Sequence, residues 1–333
     1  MIRHLLRRLA AGTGIVLVVV SITFALVSMA PGDPARLWVG PSAGTVELEA
    51  ARHALGLDRP FGLRYVSWLG NFVRGNWGIS VAQQRPVTQI IGAALPYTIL
   101  LSGLSLVVTY LGGILVGGVQ ASRHRHPLDT GLTVSTLAIY GMPTYWLAIM
   151  LVLVFSYGAA RYGWPQWLRF PALGASALDA EFMNAGERFW DGMRHLVLPL
   201  STLGLVGIAG TARYVRGAVI DSRGLPFVRT ARAKGIPPLR VELGHVFRNA
   251  LLPVITLLGL SLPALFSGTV FVEVIFAWPG MGRVMVGAVA ARDYPLVMTT
   301  TAIFATLVVL GNLLADLLYG IADPRMAHGE RRA

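Results

Sequence analysis

Long apolar segments without charged side chains recur along the chain. The segments free of Asp, Glu, Lys and Arg are residues 9–32, 86–122, 130–160, 195–212, 249–272 and 294–315. A helix needs roughly 20 apolar residues to cross the hydrocarbon core of a bilayer. The pattern therefore predicts six transmembrane helices, at about 9–30, 96–120, 130–157, 195–217, 250–273 and 296–319. Because strand-like alternation of apolar and polar positions is absent, the predicted class is an all-α integral membrane protein.

The composition supports a membrane protein. Hydrophobic residues make up 54% of the chain and charged residues only 13%, whereas soluble domains carry about 25% charged residues. The apolar stretch after Arg8 is longer than that of a typical secretory signal, so we expect it to be retained as the first span. The chain has no cysteine, which excludes disulfide and thiolate chemistry.

The basic residues are concentrated on one side of the predicted spans. Residues 1–8, 122–129, 213–248 and 323–333 hold 16 of the 28 lysines and arginines but only five acids. Because lysine and arginine are retained on the cytoplasmic side, both termini are predicted to be cytoplasmic. The net charge of +12 is then explained by topology and by contact with anionic lipids, rather than by nucleic acid.

The predicted external segment 31–94 contains an aromatic helical face. Phe61, Tyr65, Trp68 and Phe72 follow each other at helical spacing. Such a face is typical of a helix that lies at the membrane surface, so we interpret these side chains as an anchor.

Proline and glycine mark the predicted spans. Leu-Pro pairs occur at Leu95-Pro96, Leu198-Pro199 and Leu252-Pro253. Since proline suits the first turn of a helix, these pairs predict helix starts. Small residues allow helices to approach closely in lipid, and they predict a compact bundle that packs on a partner: Gly112, Gly113, Gly117, Gly118, Gly204 and Gly207.

A basic segment, Pro226–Val254, lies between two predicted spans and holds the only lysine, Lys234. Pro226 suits the first turn of a helix, Gly235 suits a left-handed C′ position, and Pro237-Pro238 prevents the helix from continuing. The predicted helix has two turns, too few to be stable alone in water. It must therefore pack on the cytoplasmic surface of its own chain or in the groove of a partner.

The chain resembles, over nearly its whole length, the B-type permeases of dipeptide, oligopeptide and nickel ABC importers. The motifs that carry the resemblance occur in order: MAPGDPA (Met29–Ala35), LGLDRP (Leu55–Pro60), WLGNFVRGNWGIS (Trp68–Ser80), LPYT (Leu95–Thr98), RTARAKG (Arg229–Gly235), RNALLPV (Arg248–Val254), FAWPGMG (Phe276–Gly282), DYP (Asp293–Pro295) and the closing Asp316, Tyr319 and Asp323–Arg325. The general coupling motif of such permeases starts Glu-Ala-Ala, and this chain has Arg229-Thr230-Ala231 there, as in the peptide branch.

This resemblance implies a type I ABC importer permease bundle in a bacterial or archaeal cytoplasmic membrane. It implies a homologous second permease chain, two cytoplasmic ATPases that bind ATP and Mg²⁺, and an external solute-binding protein, with no cofactor in this chain and no enzymatic activity of its own. The residues implied to couple the spans to the ATPases are Arg229, Thr230, Ala231, Arg232, Ala233, Lys234 and Gly235.

The expected organisation has three parts. Residues 1–95 form the first span and the external segment, residues 96–325 form the permease core with a coupling loop at about 218–250, and residues 326–333 form a cytoplasmic tail. The family branch favours peptides as the solute, while nickel chelates, glutathione and oligosaccharides stay open as alternatives.

A few polar residues near span ends are further candidates. Asp316 lies near the cytoplasmic end of the last span, where we expect it to pair with Arg213 or Arg216. Glu273, together with Trp278 of FAWPGMG, lines the substrate path or, equally, is a solvated charge at the outer end of the fifth span.

Two other classes of membrane protein fit the sequence less well. An intramembrane enzyme needs polar groups that converge at one depth, and a secondary transporter usually shows buried ionisable groups near mid-membrane. The sequence contains neither a phosphate-binding loop of the GxxxxGK[ST] type nor an HExxH metal motif, so ATP chemistry is expected in a separate chain.

Overall fold

A computed structural model describes residues 2–29, 34–40, 43–54, 56–251, 253–254, 257–258, 261 and 269–322. The described residues are largely helical, with an isolated antiparallel bridge between Ile79 and Pro86. They divide into two compact units, one of Met1–Thr98 and Pro279–Leu310 and the other of Ile99–Trp278 and Gly311–Ala333.

The helices are numbered here in chain order. They are α1 (Ile2–Met29), α2 (Pro34–Val39), α3 (Thr45–Ala54), α4 (Phe61–Val73), α5 (Val87–Ser122), α6 (Pro127–Gly141), α7 (Thr144–Arg161, with a π-helical turn at Leu153–Gly158), α8 (Ala185–Arg223) and α9 (Pro226–Ala233). They continue with α10 (Pro238–Arg240, the π-helical Val241–Phe247 and Arg248–Ala250), α11 (Val270–Ile275), α12 (Met281–Ala290) and α13 (Tyr294–Ala322). Short 3₁₀ turns lie at Gln166–Leu168 and Ala180–Phe182.

Five of the described helices are long and apolar enough to cross a membrane. They are Arg7–Met29, Val87–Ser122, Thr144–Arg161, Ala185–Arg223 and Tyr294–Leu317. The expected span at 250–273 lies largely outside the described residues, so the count of six spans stays a prediction, as does the cytoplasmic placement of both termini.

Helices α5 and α8 begin before their Leu-Pro pairs, so the prediction that these pairs start helices is wrong. Pro96 and Pro199 both lie inside helices. An interior proline costs about 3 kcal/mol, and burial of the preceding turns offsets that cost. In α5 those turns form a core with α12 and the start of α13: Val87, Ile90, Ile91, Ala94, Met281, Ala288 and Leu296. The third pair includes Leu252, which lies outside the described residues.

The expected third span at 130–157 is not one continuous helix. Helix α6 ends at Gly141, and Met142 is extended, with φ −80° and ψ 134°. The residue before a proline is sterically disfavoured in helical conformation, and Pro143 follows. The chain therefore restarts at Thr144 as a separate helix, α7.

The aromatic face of α4 packs on α1, and its interpretation as an anchor at the membrane surface stays a prediction. The hydroxyl oxygens of Tyr65 and Ser21 are 2.6 Å apart, and the rings of Phe24 and Tyr65 meet edge to face at 5.3 Å. Trp68 continues the contact by stacking on Phe72 at 5.4 Å. These rings and Val20 of α1 form a cluster with the first turns of α13.

Several motifs of the first unit meet in space. Asp293 is fully buried and accepts hydrogen bonds from the Ser80 hydroxyl and, at 3.0 Å, from the Ala82 N–H. Its other oxygen accepts the Leu296 N–H at 3.3 Å and so caps the start of α13. In the same unit the buried Thr98 hydroxyl accepts the Met281 N–H at 2.8 Å. LPYT therefore fixes the start of α12, and GIS fixes the start of α13.

The glycines of α5 and α8 bring these two helices together within the second unit. A Cβ placed on Gly117 would be 2.5 Å from the Ala212 carbonyl oxygen and 2.8 Å from the Val215 Cβ. Gly113 faces Thr211 and Gly207 faces Thr109 in the same way. The predicted close packing of these glycines is thus present, and it joins two helices of this chain.

We predict that Gly117→Ala destabilises the protein. Since the obstructing atom is a backbone oxygen of a long helix, the helices must separate to admit the methyl group, at a cost of about 1–3 kcal/mol. Gly103→Ala in the same helix, where a Cβ meets nothing within 4 Å, is the matched control. Thermal unfolding in detergent should show a lower midpoint for Gly117→Ala alone, and equal midpoints would contradict the packing.

Candidate functional site

Helix α9 forms with the boundaries that the sequence predicts. Pro226 occupies the first turn, and Gly235 has a left-handed φ of 72°. The Gly235 N–H donates to Arg232 O at 3.0 Å, and the Ile236 N–H donates to Ala231 O at 3.3 Å. This pair of bonds is a Schellman motif. Pro237 then caps α10, so the Pro-Pro pair ends one helix and starts the next.

The inner face of α9 packs on its own chain. Val228 is fully buried and Ala231 is 5% exposed, in a cluster with Val219 of α8 and Val241 and Val246 of α10. Burying a valine side chain contributes roughly 1.5–3 kcal/mol, which stabilises a helix too short to persist alone. Of the two packing surfaces considered from the sequence, the protein's own surface therefore receives this face.

Arg223, the last residue of α8, ties three segments together beside this cluster. Its Nε donates to both carboxylate oxygens of Glu242 in α10, at 3.0 and 3.2 Å, and its Nη2 makes a further short bond to the same group. Its Nη1 donates to the Ala121 carbonyl near the end of α5. Sequence reasoning treated Arg223 and Glu242 only as topology charges, because the two lie 19 residues apart without helical spacing.

The outer face of α9 is exposed and basic. Of the seven residues implied in coupling, Ala231 is buried and the other six are exposed. The exposed ones are Arg229, Thr230, Arg232, Ala233, Lys234 and Gly235. Apolar side chains are exposed around them, namely Leu225, Phe227, Leu239 and Leu243. We call these residues together the loop surface. Its apolar members were missed, although Leu239 and Leu243 stand four residues apart after the Pro-Pro pair.

Arg216 binds Asp129, an acid that sequence reasoning assigned only to a cytoplasmic turn. The guanidinium reaches both carboxylate oxygens, from Nε at 2.8 Å and from Nη2 at 2.9 Å, and Asp129 is 3% exposed. His124 Nδ1 lies 3.4 Å from the same carboxylate. The hydrogen bond from Arg216, with a further one from the Arg125 N–H, holds the pKa of Asp129 well below its usual range.

The expected pairing of Asp316 stays a prediction. Arg216 is occupied by Asp129, and the Arg213 guanidinium lies over the Tyr140 ring at 5.0 Å. Asp316 itself is half-buried in α13. Asp129, in the first turn of α6, is thus the acid that holds Arg216 in the C-terminal half of α8.

Glu273 is not the solvated charge that the sequence allowed. It lies on α11 and is fully buried, and Trp278 is 2% exposed. Trp278 and Phe276 belong to an apolar cluster with Leu101 of α5 and Leu198 of α8. The segment around Glu273 is therefore held by aromatic packing inside the second unit.

Nearly all of the chain matches known transport-protein families. Residues 110–328 match the family described as "binding-protein-dependent transport system inner membrane component", and residues 1–102 match its N-terminal counterpart.

Curated relatives match over nearly the full length. The chain is 37% identical to the oligopeptide transport system permease protein AppB of Bacillus subtilis, over 98% of this chain and 100% of AppB. It is 37% identical to the di/tripeptide transport system permease protein DppB of Pseudomonas aeruginosa, over 92% and 93%.

A solved structure shares the fold. A crystal structure of an amino acid ABC transporter with histidines aligns with a TM-score of 0.51 and 17% identity, over 70% of this chain and 94% of that chain. The two family models, the full-length relatives and the shared helical fold all agree. The chain therefore belongs to the inner membrane components of binding-protein-dependent transport systems.

Proposed function

We propose that this chain is a peptide-importing permease subunit of an ATP-driven transporter. The observation that carries the proposal is its 37% identity to two permeases, named for oligopeptides and for di- and tripeptides, over at least 92% of this chain. An ATP-driven importer also gives the exposed loop surface a partner, because such a permease depends on ATP bound by another chain.

The loop surface is the proposed docking site for the cytoplasmic ATPases. Arg229, Arg232 and Lys234 supply positive charge that orients a partner, and the exposed apolar side chains around them supply area to bury on docking. Because Val228 and Ala231 fix α9 against α8 and α10, a displacement of α9 is passed to α8 rather than absorbed by a flexible loop.

Motion of α9 links ATP chemistry to the spans. Closure of the ATPase pair on ATP and Mg²⁺ moves α9, and Arg223 carries the movement to the ends of α8 and α5. The spans then change from inward-open to outward-open, and hydrolysis restores the first state. A two-state bundle biased by differential contacts is sufficient for this cycle.

The proposed complex contains a second permease chain homologous to this one, two ATPase subunits and an external solute-binding protein, in a bacterial cytoplasmic membrane. Glu273 and Trp278 are proposed to support the substrate path from within the packed segment that holds them. Nickel chelates, glutathione and oligosaccharides are the alternative solutes for the same machinery.

The identity of the solute is tested by purifying the complex with its binding protein and analysing the small molecules that remain bound by mass spectrometry. Recovery of di- to oligopeptides supports the proposal. Recovery of a nickel chelate, glutathione or an oligosaccharide, with no peptide, would replace the solute and leave the importer mechanism standing.

We predict that the double variant Arg232→Glu/Lys234→Glu inserts normally but loses coupling. Reversing two charges on the docking face should lower transport and solute-stimulated ATP hydrolysis by roughly tenfold or more, since each tenfold loss needs only about 1.4 kcal/mol. The measurements are copurification of the ATPases and ATP hydrolysis in reconstituted vesicles. Arg123→Glu/Arg125→Glu, in the turn before α6, reverses the same charge outside α9 and serves as control. Normal copurification and stimulated hydrolysis in the α9 variant would exclude the assigned role.

We predict that Arg223→Gln lowers transport per ATP hydrolysed while the ATPases still copurify, because docking remains and the link to α8 and α5 is lost. Both Arg223 and Glu242 are about three-quarters buried, so the thermal midpoint should fall as well. A double-mutant cycle with Glu242→Gln separates the pair from its surroundings. Full additivity of the two variants in both readouts would show that the ion pair does not transmit the motion.

A further inference from the structure

A cavity of about 1150 Å³ lies in the first unit, and its lining residues are not those of the loop surface. The end of α1, helices α3 and α4 and the start of α13 surround it. The predicted topology places these elements at the outer membrane surface, where the first span ends. Neither the coupling mechanism nor the choice of solute gives this cavity a role.

The cavity is rimmed by basic side chains. Arg52, Arg59, Arg64 and Arg292 contribute four positive charges, while Glu49 and Asp58 contribute two negative ones. Asp58 lies 3.8 Å from His53, which offsets its charge only when the imidazole is protonated. The rim has an excess of guanidinium groups, which bind phosphate and carboxylate oxygens in pairs.

The wall of the cavity is apolar and aromatic. Phe24, Val27, Trp68 and Met298 line it, and the Arg64 guanidinium lies over the Phe24 ring at 5.9 Å. Outside the cavity, the neighbouring α1 side chains Leu26 and Met29 are 64% and 81% exposed. An apolar surface thus continues from the cavity onto the first span, where acyl chains lie against the protein.

One residue that lines the cavity carries a buried polar group. The Tyr294 hydroxyl is buried and, among the described residues, has no hydrogen-bond partner, and Tyr294 lines the cavity. A buried hydroxyl without a partner costs about 1–3 kcal/mol, so a ligand that accepts a hydrogen bond from it would be stabilised. Arg292, two residues before it, holds a left-handed φ of 54°, a conformation that is uncommon for arginine.

We propose that this cavity binds the phosphate headgroup of an anionic phospholipid. Arg59 and Arg64 of the rim bind the phosphate, Tyr294 donates to one of its oxygens, and the first part of the acyl chains lies on Phe24, Val27 and α1. Free phosphate would contact only the arginines of the rim and would not cover the aromatic wall. Because the cavity combines positive charge with an apolar wall, it favours a lipid. The proposal is independent of which solute is carried.

The test compares wild type with Arg59→Gln/Arg64→Gln in nanodiscs of neutral phosphatidylcholine, titrated with phosphatidylglycerol. Each basic residue at an anionic surface contributes about a factor of five in affinity, so the variant should need roughly thirty-fold more phosphatidylglycerol for the same rise in thermal midpoint. Arg74→Gln/Arg85→Gln removes two charges from the same unit outside the cavity rim and is the control. Mass spectrometry of lipids that copurify with each protein gives a second, independent readout.

Lipid binding is supported if phosphatidylglycerol raises the thermal midpoint of wild type and control alike and copurifies with both. The rim variant should show neither the rise in midpoint nor the copurified lipid. Equal stabilisation of all three proteins would show a general effect of membrane charge and overturn the site. Stabilisation of wild type by inorganic phosphate, to the extent seen with phosphatidylglycerol, would overturn the lipid in favour of a free anion.

Discussion

The contact on which the loop surface depends is the burial of one face of a two-turn helix, locked by an ion pair. Helix α9 is too short to hold its shape in water, so Val228, Ala231 and the Arg223–Glu242 pair must define it. Because the same arginine also binds the end of α5, the position of α9 and the positions of two long helices are linked. The exposed loop surface and the contacts that hold two long helices thus belong to one cluster.

Several charged residues near helix ends make structural contacts that cannot be predicted from their positions in the sequence. Asp129 holds Arg216, Asp293 caps α13 and binds Ser80, and Glu242 holds Arg223. Each carboxylate is half or fully buried and receives several donors, which is the condition under which buried charge is tolerated. Arg216 and Arg223 therefore contribute both to the excess of basic residues in the predicted cytoplasmic segments and to ion pairs within the protein. A count of charges along the sequence shows only the first contribution.

The sequence predicts local features well and long-range ones poorly. The two-turn helix with its left-handed Gly235 follows from proline and glycine stereochemistry, which acts within a few residues. The starts of α5 and α8 were misplaced because packing of distant residues such as Met281 overrides the preference of proline for a first turn. In α8 a local signal did exist, since Asn184 and Glu187 form a capping box. The Arg216–Asp129 pair had no such signal, because 87 residues separate its members.

The bond between Ser80 and Asp293 spans 213 residues and bears on how the protein is made. Chains emerge from the ribosome N-terminus first and fold as their segments become available. Helices α1 and α4 and the beginning of α5 are therefore synthesised long before Asp293, the buried acid that Ser80 binds. Until α13 arrives, Ser80 and the apolar turns of Val87–Ala94 lack their packing partners. Truncation of the last helix would for that reason remove packing partners from residues near the start of the chain, namely Ser80 and the apolar residues of Val87–Ala94.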